Sequence, residues 1–322
     1  MDTNAVIDTI QRGSAITFPM LGGLTIDPPS SFEIFGKTIY FYGVLIALGF
    51  ILGILYISHN SRRFGLNSDI VYDIILWIIP ASIIGARAYF VLFRLDDYIS
   101  RPLDMIKIWE GGLAIYGGVI AGALVAFLFC KKRKIPVAAM IDALIGGLLI
   151  GQIIGRWGNF MNREAFGAPT EVFCRMGLIA KDGTTIFVHP TFLYESLWNL
   201  VLFIFLDIFV RKGKRKYDGQ VALIYFFWYG IGRAWIEGLR TDSLYIGSTG
   251  IRVSQVLSAA LALAALIIMI IQAKKPHDPA KLYANRKSEA EEASEDDTKS
   301  GSAAEAPSVP AAEEKNNTEE EK

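Results

Sequence analysis

The chain has 322 residues, 52% of them apolar, with 32 acidic and 32 basic residues and a mean hydropathy of +0.36. A soluble domain is usually less apolar than this. The apolar residues fall in nearly uncharged runs of about 20, the length that crosses a hydrocarbon core of ~30 Å. A soluble enzyme is thereby excluded, and an all-α, polytopic transmembrane helix bundle is expected.

Residues 1–37 come first and read as an external segment, its Pro28-Pro29 stretch capping the first helix. No basic start is followed by an apolar core, so no cleavable signal is expected there. Seven spans are predicted, at about 38–58, 70–93, 111–130, 136–155, 191–210, 219–237 and 252–273. Residues 156–190 form a small extracytoplasmic region between spans four and five. Basic residues gather after spans one, three, five and seven: Arg62 and Arg63, Lys131 to Lys134, Arg211 to Lys216, and Lys274 with Lys275. Basic loops stay in the cytoplasm. The amino terminus is therefore placed outside and the carboxyl terminus inside. From residue 274 onward the chain reads as a disordered cytoplasmic tail, with twelve acidic and three basic residues in 289–322. Cys130 and Cys174 fall on opposite membrane faces, so neither a disulfide nor a zinc site is expected. No metal, cofactor or nucleic-acid partner is expected.

Helices in lipid gain little from the hydrophobic effect against one another, so close backbone approach matters more. Gly118 and Gly122 in span three, and Gly147, Gly151 and Gly155 in span four, form rows suited to helix packing, or to making room for a lipid. Ionisable groups inside spans are costly and mark partners or cavities. Arg87, Arg156 and Arg233 are expected at one depth, near the outer ends of spans two, four and six. Asp73 and Asp142 lie nearer the inner face and read as structural contacts. In span six, Tyr229, Arg233 and Glu237 recur every four residues and share one face. Glu237 alone does not balance three arginines, and a spare guanidinium at headgroup level suits a phosphate, which its planar fork can grip with two bonds. The string Gly155-Arg156-Trp157-Gly158-Asn159-Phe160-Met161-Asn162-Arg163-Glu164-Ala165-Phe166-Gly167 reads as a tight irregular turn at the interface. A second polar cluster, His189-Pro190-Thr191 through Glu195, opens span five, with Pro190 placed to start the helix.

The first string resembles the signature of the prolipoprotein diacylglyceryl transferases, through Gly155, Arg156, Gly158, Asn159, Phe160, Asn162, Glu164 and Gly167. The resemblance continues in Tyr42-Gly43, Gly85-Ala86-Arg87 with Tyr89, Glu110-Gly111-Gly112, His189-Pro190-Thr191 to Glu195, and Tyr229, Gly232, Arg233 and Glu237. It covers roughly residues 32–273, so 38–273 is expected to be one seven-helix transferase domain. The resemblance implies an enzyme of the bacterial cell membrane. Its partners would be phosphatidylglycerol, lipobox-containing preprolipoproteins and the lipid bilayer. The lipobox cysteine would take the diacylglyceryl group as a thioether, with glycerol-1-phosphate leaving. The implied catalytic residues are Arg156, Arg233, Glu164, Asn159, Tyr229, Glu237, Tyr116 and His189. Phosphatidylglycerol would be bound by Arg156, Arg233, Arg87, Tyr42, Asn162 and Gly167.

One position departs from the family. Many members carry histidine where this chain has Tyr116. A thiol titrates near 8.5 and a tyrosine near 10, so Tyr116 is a poor base. Glu164, His189 and Glu237 stay open as proton acceptors. A transporter or binding protein for an anionic lipid is the alternative, but its polar groups would lie near the midplane, often in repeated halves.

Overall fold

The computed structural model describes residues 15–180, 182–241 and 252–286. The expected segment 1–14 and the acidic stretch 289–322 lie outside the described residues. Among the described residues seven long helices come in order: α1 Phe41–Asn60, α2 Ser68–Leu92, α3 Ile115–Arg133, α4 Val137–Asn162, α5 Thr191–Arg211, α6 Gln220–Glu237 and α7 Val253–Ala273. All but α6 are long and apolar enough to cross a membrane. The shorter α6 carries Arg233 and Glu237, which lower its apolarity. Large side chains such as Leu76, Trp77 and Ile84 of α2 point outward and exposed. Apolar surface on this scale needs a lipid solvent. The protein is a mostly helical, multi-pass membrane protein.

Glycine sets which helices touch. α1 packs mainly on α4, α2 on α3, α6 on α7, and α4 also on α5. A Cβ on Gly117 would lie 2.2 Å from the Gly85 carbonyl oxygen, and one on Gly53 would lie 2.8 Å from that of Gly147. The expected rows do pack: Gly118 and Gly122 face Ser82, and Gly147 faces Gly53 and Ile57. Overpacking a tight contact typically costs about 1–3 kcal/mol. Gly117→Ala therefore lowers the unfolding temperature in a thermal scan of detergent-solubilised protein. Gly151→Ala, whose Cβ would meet nothing within 4 Å, leaves it unchanged or slightly raised.

The expectation of an all-α fold needs one correction. Among the described residues six short strands build a cap at one end of the bundle. β1 Ala15–Phe18, β2 Leu24–Ile26, β5 Met176–Ile179 and β6 Thr185–Val188 form an antiparallel sheet in the order β2-β1-β5-β6. β3 Ser31–Ile34 and β4 Lys37–Tyr40 pair as a hairpin that runs straight into α1. Strands of three or four residues show too little alternation to be read from sequence. Their pairing also joins segments far apart in the chain, Ile16 lying opposite Leu178. Ile16, Phe166, Met176, Leu178, Val188 and Phe192 form a core under the sheet, fixing the loop after α4 against the start of α5.

Two boundaries also move. α4 runs on to Asn162, so Arg156 to Asn162 are helical and do not belong to an irregular region 156–190. Residues 274–286, expected in the unstructured tail, fold back on the bundle. Asp278 caps the 3-10 turn Pro279–Lys281, Leu282 is buried, and the Tyr283 N–H donates to Asp218 Oδ2 at 3.0 Å. His277 stacks on Tyr217 at 4.7 Å. These partners belong to a distant loop, so local composition could not reveal them.

Candidate active site

The end of α4 places Arg156 and Asn159 three residues apart, on one side of the helix. The helix stops at Arg163, which is left-handed (φ +55°), and Ala165 repeats that conformation (φ +56°). Non-glycine residues there cost about 1–3 kcal/mol each and persist only where their surroundings over-determine them. Here the surroundings do so. Arg163 pairs with Asp27 and donates to the Met161 carbonyl at 3.0 Å. The Thr191 hydroxyl donates to the Ala165 carbonyl, and the Gly167 N–H to the His189 carbonyl at 2.9 Å. Glu164, between the two strained residues, is thereby aimed back at α4. Its Oε1 accepts from Asn159 Nδ2 at 3.0 Å and Asn162 Nδ2 at 3.3 Å. Its Oε2 has no hydrogen-bond partner among the described residues. Arg156 Nη1 approaches Asn159 Oδ1 at 3.4 Å, which links the two groups.

The centre of the cluster is Glu195, one turn into α5. Arg156 Nη2 lies 2.5 Å from its Oε2, and Arg233 Nη1 donates to its Oε1 at 2.9 Å. Arg240 Nη1 stands 3.7 Å from the same oxygen. Arg233 Nη2 reaches Glu237 Oε2 at 2.7 Å, out of line for a hydrogen bond, and Arg252 donates to the Glu237 carbonyl. Glu195 is 5% exposed, whereas Arg156 and Arg233 keep 23% and 17% of their side chains open. A buried carboxylate thus holds two guanidiniums side by side while part of each still faces out. Glu195 corrects the expectation that Arg156 lacks an acid. The sequence shows Glu195 at the end of the polar cluster that opens α5, but gives it no arginine partner.

The other candidates take different places. His189 sits between β6 and α5, its Nδ1 3.4 Å from the Tyr194 hydroxyl, which also meets Cys174 Sγ at 3.2 Å. Burial lowers the His189 pKa below the ordinary histidine value, so its ring is neutral near pH 7. Gly167 marks a close approach: a Cβ there would lie 2.6 Å from His189 Cβ and 3.0 Å from the Leu239 carbonyl oxygen. Tyr42 lies over Gly158 of α4, and Tyr229 stacks on Tyr225 with ring centroids 5.3 Å apart. Tyr116 is half-buried in the first turn of α3, without a hydrogen bond to another described residue. Arg87 does not join the cluster. Its N–H groups donate to the carbonyls of Met105, Gly111, Gly112 and Asp104 at 2.7–3.0 Å. It is buried, and it pins the segment between α2 and α3.

A sequence model of the prolipoprotein diacylglyceryl transferases matches residues 29–271, three quarters of the chain. The chain belongs to that family. A phosphatidylglycerol–prolipoprotein diacylglyceryl transferase of Finegoldia magna is 44% identical over 240 residues, covering 74% of this chain and 94% of the relative. Relatives of the same name from Enterococcus faecalis and Halalkalibacterium halodurans are 41% and 40% identical, each covered over 91% of its length. The part matched to the transferase family holds the whole network of Arg156, Asn159, Glu164, Glu195, Arg233 and Glu237. β1, β2 and Asp27 of this transferase lie before the matched residues.

Proposed function

We propose that this protein transfers the diacylglyceryl group of phosphatidylglycerol to the lipobox cysteine of preprolipoproteins, the first step of lipoprotein maturation. The observation that carries the reading is the pair of arginines, Arg156 and Arg233, held side by side on Glu195 with their outer edges open. Guanidiniums so placed fit a phosphodiester, each able to offer two parallel N–H groups. The thiol sulfur attacks the glyceryl carbon that bears the phosphate ester. A carbon–sulfur bond forms, the carbon–oxygen bond breaks, and its electron pair leaves on the oxygen of glycerol-1-phosphate. Arg156 and Arg233 stabilise the charge that grows there. A free thiol is mostly protonated at pH 7, so a base speeds the attack. Glu164 is the best placed: two amides orient one oxygen, and the other is unpartnered among the described residues. Glu237 is buried against Arg233 and serves position rather than proton transfer. Tyr42, Tyr229 and Asn162 line the approach of the lipid.

All seven helices span the bacterial cell membrane in this reading. The cap and the Glu195 cluster face outward, and the basic loops after α1, α3, α5 and α7 face the cytoplasm. Two experiments test it. Purified protein, mixed with phosphatidylglycerol and a lipobox peptide, raises the peptide mass by one diacylglyceryl group; no gain in a folded preparation removes the reading. In a Cys174→Ser background, Glu171→Cys reacts with an impermeant thiol reagent on intact cells, while Lys214→Cys does not. The reverse pattern would invert the topology.

A further inference from the structure

The end of the bundle opposite the Glu195 cluster carries a cationic rim. Lys131, Lys132 and Lys134 close α3, and Lys212, Lys214 and Lys216 come just after α5. All six are exposed, and none has an acidic partner among the described residues. Their neighbours differ: Arg133, Arg211 and Arg215 pair with Asp73, Asp207 and Asp142. The fold-back of residues 274–286 ends within this rim. Ala284 packs so closely on the α1–α2 turn that a Cβ on Gly65 would lie 2.6 Å from its Cα. Tyr283 is tied to Asp218 of the α5–α6 loop. The chain therefore reaches Arg286 beside the α1–α2 turn and the α5–α6 loop that carries Lys214 and Lys216, and it turns acidic soon afterwards. Residues 289–322 hold twelve acidic and three basic residues, five of the acids falling at 291, 292, 295, 296 and 297.

We infer that residues 289–322 bind this cationic rim. Charge complementarity supplies the attraction and the folded 274–286 segment supplies the tether. Asp296 is ten residues past Arg286, a span of at most about 35 Å of extended chain. A tether this short gives an effective concentration of order millimolar, enough to fill a weak electrostatic site. Anionic lipid headgroups carry the same charge and compete for the same lysines, but without a tether. The bound acidic segment keeps them off the rim.

Amine acylation of the full chain in zwitterionic nanodiscs, read by peptide mass spectrometry, tests the inference without reference to enzymatic activity. Two comparison proteins are used. One carries Glu291→Gln, Glu292→Gln, Glu295→Gln, Asp296→Asn and Asp297→Asn together; the other stops after Arg286, which keeps every described contact. At low ionic strength Lys132, Lys134, Lys212 and Lys214 of the full chain react about threefold or more slower than in either variant. The difference disappears at ~1 M salt, where charges are screened beyond about 3 Å. Equal rates in all three proteins at low salt overturn the inference. So does protection that appears only with anionic lipid and ignores the acidic residues, which would assign the rim to headgroups.

Discussion

Arg233→Lys lowers transfer by about two orders of magnitude or more although the positive charge is kept. Arg233 uses one nitrogen for Glu195 and another for Glu237, at 2.9 and 2.7 Å. Lysine offers one compact ammonium on a flexible stem and cannot span both acids while facing a phosphate. Stripping a buried carboxylate of its partner costs about 3–5 kcal/mol, and each 1.4 kcal/mol felt only in the transition state is tenfold in rate. Arg156→Lys behaves alike, because Arg156 joins Glu195 to Asn159. Initial rates with phosphatidylglycerol and a lipobox peptide give the effect. Far-ultraviolet dichroism and a thermal scan of the same samples show that the bundle is intact. Near-normal turnover of both lysine variants at saturating lipid would reduce the two arginines to a structural role.

Glu164→Gln removes more activity than any change at Tyr116. If Glu164 takes the thiol proton, its loss costs about 10²–10⁴ in rate, the usual worth of a positioned base. The amide keeps the size of the side chain, and Asn159 and Asn162 can still donate to its oxygen. Tyr116→Phe loses one neutral hydrogen bond at most, about 0.5–1.5 kcal/mol, or roughly a factor of two to ten. His189→Gln costs more than Tyr116→Phe, since the ring is neutral near pH 7 and borders Tyr194 beside the cluster. A pH–rate profile separates the candidates: losing the true base removes the acidic limb of kcat/KM, while losing an orienting group only lowers the plateau. Should Tyr116→Phe alone abolish turnover with phosphatidylglycerol binding intact, Tyr116 is the proton acceptor and Glu164 is structural.

Much of this protein was legible in its residues. Helices that must satisfy their own backbone in hydrocarbon announce themselves as long apolar runs, and all seven long helices lie close to the predicted runs. Arg156, Arg233 and Glu237 stood out because charge is rare in such runs. Glycine rows foretold close packing because only a missing Cβ lets two backbones approach so nearly. The partners of these groups were not legible. That Glu195 of α5 sits between arginines of α4 and α6, and that Arg87 spends its donors on loop carbonyls, depends on how the helices turn about their axes. A one-residue rotation of about 100° would exchange those contacts, and no local preference sets it. The cap is a similar case, since β1 pairs with β5 across some 160 residues. Local sequence determined which segments enter the membrane and which residues are too polar to be idle there. Tertiary packing alone decided which charges meet, because hydrogen bonds and ion pairs form between surfaces that lie far apart in the chain.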